Sequence, residues 1–185
     1  MNKFFRRIKS GRGVSLIELM VALAIFSVLI LLATQIFKMV VDGQRSAIAA
    51  QNVQENMRYA LEKMGKEIRM AQVSNTDCLG AATNKIFNTA NSDSQLYFKN
   101  KDGQCLTYYL ENNRLKIAVG AGANFITPAK IAVSSLKFYL VDDLIGATHN
   151  VQPYVTMVMN VKATGPALHE QKMKIQMTAS SRYYE

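Results

Sequence analysis

KSGRGVSLIELMVALAIFSVLILL, residues 9–32, joins a short basic head to a long apolar run that carries one carboxylate, Glu18, near its start. The head holds Lys3, Arg6, Arg7, Lys9 and Arg12 and no acid, and residues 19–37 contain no Asp, Glu, Lys or Arg. At ~1.5 Å rise per helical residue, 14–37 spans ~36 Å, enough for a hydrocarbon core of ~30 Å. The positive-inside rule places the basic head in the cytoplasm and everything after Lys38 on the far side of the membrane.

A carboxylate inside such a helix costs on the order of 2.5–3.5 kcal/mol on insertion scales, so Glu18 needs a neutral form or a partner. A cut after Gly13 would free an α-amino group at Val14, four residues before Glu18 and on the same helix face. Between staggered subunits, the carboxylate of one chain could then meet the amine of another. At ~4 Å and an effective dielectric of about 20, such a pair gains ~4 kcal/mol before desolvation, enough to offset burial and fix axial register. On this reading Glu18 is an assembly device.

The same stretch closely resembles the class III signal of type IV pilins and type II secretion pseudopilins. The glycine before the cut, the hydroxyl at Ser15, the Leu16-Ile17-Glu18-Leu19 run and the apolar helix all match. The resemblance implies that Gly13 precedes the prepilin peptidase cleavage site, Val14 is the N-methylated mature terminus and Glu18 recruits the subunit into a filament. Two features depart from the commonest pattern. Val14 stands where Phe is most frequent, which the family tolerates, and the helix proline of many major pilins is missing, since the prolines are Pro128, Pro153 and Pro166. The second departure points to a minor component.

Two simpler readings of this stretch are a secretory signal peptide and a plain signal anchor. Ala47-Ile48-Ala49 has the residue types of a signal-peptidase site, but polar residues 38–46 separate it from the apolar run, which is longer than a usual h-region. The chain has 185 residues and a net charge of +9. Removing the head takes five cations away, so most of the basic excess is topogenic and says little about partners. What lies beyond the membrane is one domain's worth of chain.

Past the apolar run, Val53, Met57, Leu61, Met64, Ile68 and Ala71 recur at spacings of three and four, an amphipathic stripe, with Arg58, Glu62, Lys63, Lys66 and Glu67 on the other face. The pattern predicts one helix from Val14 to about Gln72, with Asp42-Gly43 and Gly65 as its weak points. From Asn75 the composition turns to Ser, Thr, Asn, Asp and Gly, and a loop-rich β region begins. Candidate strands are 95–99, 105–110 and 114–119, then, after a loop over 120–124, a strand within 131–141, and 154–162 and 172–180 as a final hairpin around Gly165-Pro166. The expected fold is α+β: a long N-terminal α-helix, half membrane-spanning and half amphipathic, packed on an antiparallel β-sheet head. The expected segments are a cleaved leader 1–13, a membrane and filament-core helix 14–37, an amphipathic extension 38–74 and an extracytoplasmic β head 75–185.

Beyond the anchor, the chain is similar to PilW-type minor pilins and GspJ-type pseudopilins in three features. These are the helix end over 54–71, a meander without conspicuous motifs, and a last strand running into Ser180-Ser181-Arg182-Tyr183-Tyr184. The resemblance implies a single-pass inner-membrane protein with a cytoplasmic N-terminus and a periplasmic or extracellular head. Its partners would be other minor and major pilins or pseudopilins, prepilin peptidase and the inner-membrane assembly platform.

Cys78 and Cys105, the only cysteines, both fall in the extracytoplasmic part, where an even pair reads as a disulfide; two free buried thiols are the alternative. No catalytic residues, metal ligands or cofactor are implied: His149 and His169 are isolated, and Asp142-Asp143 would point to opposite sides of a strand. The reading is a non-enzymatic subunit that initiates or caps a filament. An alternative makes the head a pilus-tip adhesin or DNA-uptake receptor, with Lys130, Lys137, Lys162, Lys172, Lys174 and Arg182 on phosphates. Interleaved aromatic residues for base stacking are not evident, and ordinary solvation of a sheet is the better account of these lysines, so nucleic acid is not an expected partner.

Overall fold

A computed structural model describes residues 13–74, 78, 85–142, 151–164 and 172–182. Eight strands follow one helix: α1 (Leu16–Arg69), β1 (Phe87–Ala90), β2 (Gln95–Lys99), β3 (Cys105–Glu111), β4 (Arg114–Val119), β5 (Gly122–Phe125), β6 (Ile131–Val141), β7 (Tyr154–Ala163) and β8 (Lys172–Ser180). The fold is α+β. The chain divides into two compact units, Met1–Gln44 and Arg45–Glu185, with the boundary inside α1. In the first unit the described helix exposes apolar side chains on every face. The second holds the core.

The antiparallel strands form two sheets, not one: a five-stranded meander β1-β2-β3-β4-β5 and a three-stranded sheet β6-β7-β8. Turn chemistry sets the register of the meander. Asn112 and Asn113 both adopt positive φ, 52° and 56°, in the two-residue turn that puts Glu111 opposite Arg114; Asn tolerates this conformation, which the twist of a tight hairpin demands. Between β2 and β3, the Asn100 side chain accepts hydrogen bonds from the backbone N–H groups of Asp102 and Gln104, at 3.0 and 2.8 Å.

Two strands fall where the sequence reads as loop. Residues 120–124 are a two-residue turn, Gly120-Ala121, followed by β5, which pairs with β4 from Val119 opposite Gly122 to Lys116 opposite Phe125. Gly-Ala-Asn carries no apolar alternation, so pairing, and Phe125 seated 3.9 Å from the Arg114 guanidinium carbon, make the strand. Likewise β1 has the plain sequence Phe-Asn-Thr-Ala and is held by its ladder to β2 and by the Phe87 ring edge-on to Phe98 at 6.0 Å. The chain reverses between them through Asn91, Ser92 and Asp93, all at positive φ.

One core joins the amphipathic half of α1 to both sheets. The buried helix stripe is Val53, Met57, Ala60, Met64, Gly65 and Ile68. It is centred on Ala60 where the sequence pattern takes Leu61, which packs at the margin of the core. A small residue at 60 and none at 65 let the sheet approach: a Cβ on Gly65 would lie 2.6 Å from the Met177 Cε of β8. Gly65, a weak point by propensity, is a contact point by packing. Phe98 stacks on Tyr108 at 6.0 Å, and the fully buried Tyr108 hydroxyl meets no hydrogen-bond partner among the described residues.

The helix stops at Arg69, three residues short of the expected end, because non-local partners take over its last polar groups. The Gln72 N–H donates to Lys99 O and the Ser74 N–H to Lys85 O, both at 2.9 Å, which draws the chain into the sheet. Past β8, the Arg182 N–H donates to Arg69 O at 2.8 Å and Ser181 Oγ to Ala71 O at 3.2 Å, supplying donors that a helix C-terminus lacks. Ser181 is fully buried; its own N–H donates to Pro153 O, and its carbonyl accepts from Gln152 Nε2. The turn expected around Gly165-Pro166 lies outside the described residues, though β7 and β8 pair over their whole length, from Tyr154 opposite Ser180 to Lys162 opposite Lys172.

Ser181→Ala removes one buried bond and leaves a carbonyl unpaired, so it is expected to lower stability by about 1–3 kcal/mol. Denaturant titration of the full chain in detergent measures this, and amide exchange at 69–72 should accelerate. Tyr108 tests the core in the opposite sense. Burial first, and then the charge of Glu67, push its hydroxyl pKa above the ordinary value. Below pH ~10 the group is neutral folded and unfolded; above it only the unfolded chain ionises, so stability falls with rising pH by up to about 1.4 kcal/mol per pH unit. Tyr108→Phe is expected to cost little at pH 7 and to reduce that alkaline loss, read from melting curves between pH 8 and 11.

Candidate processing and assembly segment

Gly13, Val14 and Ser15 enter α1 as irregular backbone, and the first intrahelical bond is from the Leu19 N–H to Ser15 O at 3.2 Å. Ser15 therefore stands at the N-cap and Glu18 three residues on, the positions of the Ser-x-x-Glu capping box. Neither side chain bonds the other's backbone among the described residues. The placement alone is favourable: a carboxylate in the first turn faces the positive end of the helix dipole, typically for about 0.3–1 kcal/mol. Glu18 thus has a reason within its own helix as well as any between subunits. The Ser-x-x-Glu spacing was the legible signal for it.

Val14, Leu16 and Ile17 beside Glu18 are 69, 76 and 70% exposed. The helix beyond is long and apolar enough to cross a membrane by length and composition, and no residue of its most apolar window is buried among the described residues. Two of its polar side chains are satisfied internally, Ser27 Oγ donating to Leu23 O at 2.7 Å and Thr34 Oγ1 to Ile30 O at 2.8 Å. That suits an environment without water. Gly43 sits in an unbroken helix, with open space where a side chain would go.

In the second unit, Cys78 and Cys105 are joined by a disulfide with Cα atoms 5.2 Å apart, tying the segment after the helix to the first residue of β3 across 27 residues. A loop of that size stabilises by roughly 3.5 kcal/mol in the chain-entropy model.

Asp142, weighed with Asp143 as a cation ligand, does something else. It is buried, and Oδ2 accepts the Ile86 and Phe87 N–H groups at 2.8 and 2.9 Å, fastening the end of β6 to the start of β1. A partner 55 residues away leaves no local pattern, so the sequence carried no sign of this role. Asp143, His149 and His169 lie outside the described residues. Among the described residues, no group of three or more His, Cys, Asp or Glu is placed to hold a metal ion.

Of the six basic residues nominated for phosphate contact, the structure gathers four. Register and burial put Lys137, Lys162, Lys172 and Lys174 on the outward face of the three-stranded sheet. Lys130 precedes β6, and Arg182 is at the helix end.

A family model for the prokaryotic N-terminal methylation motif matches residues 8–34, which take in Gly13, Val14 and Glu18. No curated protein and no solved structure matches the chain. The match is confined to the class III signal of type IV pilins and does not extend to the amphipathic half of the helix or the β-rich head.

Asp142→Ala would strand two buried N–H donors, and a loss of about 2–4 kcal/mol is expected. Asp142→Asn, which keeps one acceptor oxygen, should fall between that variant and the parent in the same denaturant titration.

Proposed function

We propose that this chain is a minor pilin or pseudopilin, a non-enzymatic subunit that initiates or caps assembly of a type IV pilus or type II secretion pseudopilus. The observation that carries the reading is the methylation motif over 8–34, set on a helix whose most apolar window has no buried residue among the described residues. An apolar surface of that extent needs a cover. Lipid provides it before assembly, and the helices of neighbouring subunits provide it in a filament.

In this scheme residues 1–13 are the leader, 14–37 the membrane and filament-core helix, 38–74 the amphipathic extension and 75–185 the head. Prepilin peptidase cuts after Gly13, and Val14 is methylated. Glu18 is the charge that a neighbouring subunit's new N-terminus neutralises. It costs free energy in an isolated subunit and contributes register in a filament, so the monomer favours assembly. The disulfide holds the segment after the helix to β3 on the oxidising side of the membrane.

The scheme separates processing from incorporation. Glu18→Ala and Glu18→Val are expected to yield the mature chain beginning with methyl-valine by mass spectrometry, and to be depleted at least about tenfold from sheared filaments, as loss of a pair worth over ~1.4 kcal/mol requires. Incorporation of both variants at the parental level would refute the carboxylate pairing. Gly13→Leu should stop the chain at the uncut stage, leaving it in the membrane fraction with residues 1–13 attached.

A further inference from the structure

The fold treats the two edges of the three-stranded sheet differently. At β6, turns of the five-stranded sheet reach the edge: the Val133 N–H donates to Asn113 O and the Phe138 N–H to Asp93 O, both at 2.8 Å. At β8, among the described residues, the backbone of 173–180 is paired with β7 alone.

An open edge is a template for another strand, and folds commonly protect it by shortness, a bulge, a proline or edge lysines. Of these devices β8 has only the lysines, which repel a cationic strand and leave the edge available to an acidic one. It runs nine residues, lacks proline and pairs with β7 without a register shift. Its inward row, Met173, Ile175 and Met177, is only half-buried, whereas Met157, Met159 and Val161 beside it on β7 are 0, 0 and 2% exposed. The core is therefore roofed over β7 and open along the side of β8.

Charge on this sheet has one sign. β6, β7 and β8 contain four lysines and no acid. Lys172 stands directly opposite Lys162 in the register. With Lys174 these two wall a concavity of ≈ 450 Å³ at the start of β8, beside Met173. A strand added about 4.8 Å from β8 would place alternate side chains over the Met173–Ile175–Met177 row and the others beside Lys172 and Lys174.

We propose that β8 is a docking edge for an extended segment of a different subunit, in which apolar and acidic side chains alternate, so that the segment adds as a fourth strand. Backbone pairing supplies affinity, the apolar row closes the core, and the exposed Lys174 selects carboxylates over cations. The proposal rests on the reading of this chain as an assembling subunit. Its test needs no filament, so it can fail while the Glu18 experiment succeeds, and the reverse.

The full chain in detergent micelles is titrated with the blocked peptide Ac-Glu-Val-Glu-Ile-Glu-Val-Thr-NH2, with its counterpart carrying Lys for Glu, and with a version N-methylated at alternate backbone positions. The expected result is binding of the acidic peptide with slowed amide exchange over 173–180, and binding of the other two weaker by at least about tenfold. Lys174→Glu, at an exposed position, should weaken the acidic peptide and strengthen the basic one. Equal binding of acidic and basic peptides, no protection of β8, unchanged preference in Lys174→Glu, or pairing of β8 with a second copy in place of the peptide would each overturn the proposal.

Discussion

Burial of a single stripe of α1 is the constraint on which the head depends. Val53, Met57, Ala60, Met64 and Ile68 are all at 0–1% exposure and belong to the same core as the inward residues of both sheets. A half-apolar antiparallel sheet needs a cover, and here two sheets share one. The approach is close enough that Gly65 leaves room for Met177 and Ala60 replaces a larger residue at the centre of the stripe. Lost helix propensity at Gly65, about 1 kcal/mol against alanine, is offset by contact that a side chain there would obstruct.

The same helix is two different objects along its length. Where its apolar residues occupy one stripe, it is a structural element of the head; where they surround the axis, they are exposed among the described residues. The change is one of sequence pattern alone, since α1 is continuous from Leu16 to Arg69. At the far end, Ser181 and Arg182 close the last turn, so the C-terminal segment holds the helix that the N-terminal segment begins. Helix end and last strand are therefore mechanically one feature, although more than 100 residues separate them.

How much was legible follows the range of the interactions. β2, β4 and β8 could be bounded from alternation, with an Asn or Gly beside β2 and β4 to mark the turns, whereas β6 could only be placed within 131–141. β1 and β5 could not, as Asn-Thr-Ala and Gly-Ala-Asn have no period and become strands only through a ladder bond to a neighbour. A division into two sheets was equally invisible: it depends on β6 leaving the meander, with turn carbonyls of Asn113 and Asp93 meeting its edge. In the functional segment the balance is reversed. Gly13, Val14, Ser15 and Glu18 lie within six consecutive residues, so cap, charge and apolar run are all local and readable.

The sequence by itself determined the anchor: a basic head, a helix of membrane-spanning length and one carboxylate in its first turn follow from local spacing, hydropathy and charge. It also determined that a β-rich head comes next and that its two cysteines are available for a bridge. Only the tertiary structure decided the rest, namely that Asp142 fastens β1 to β6, that Ser181 closes α1, that Gly65 is a contact and that β8, among the described residues, pairs on one side alone. Each of these is a hydrogen bond or a close packing between residues far apart in the chain, and the free energy of such a contact depends on distances that no linear pattern contains.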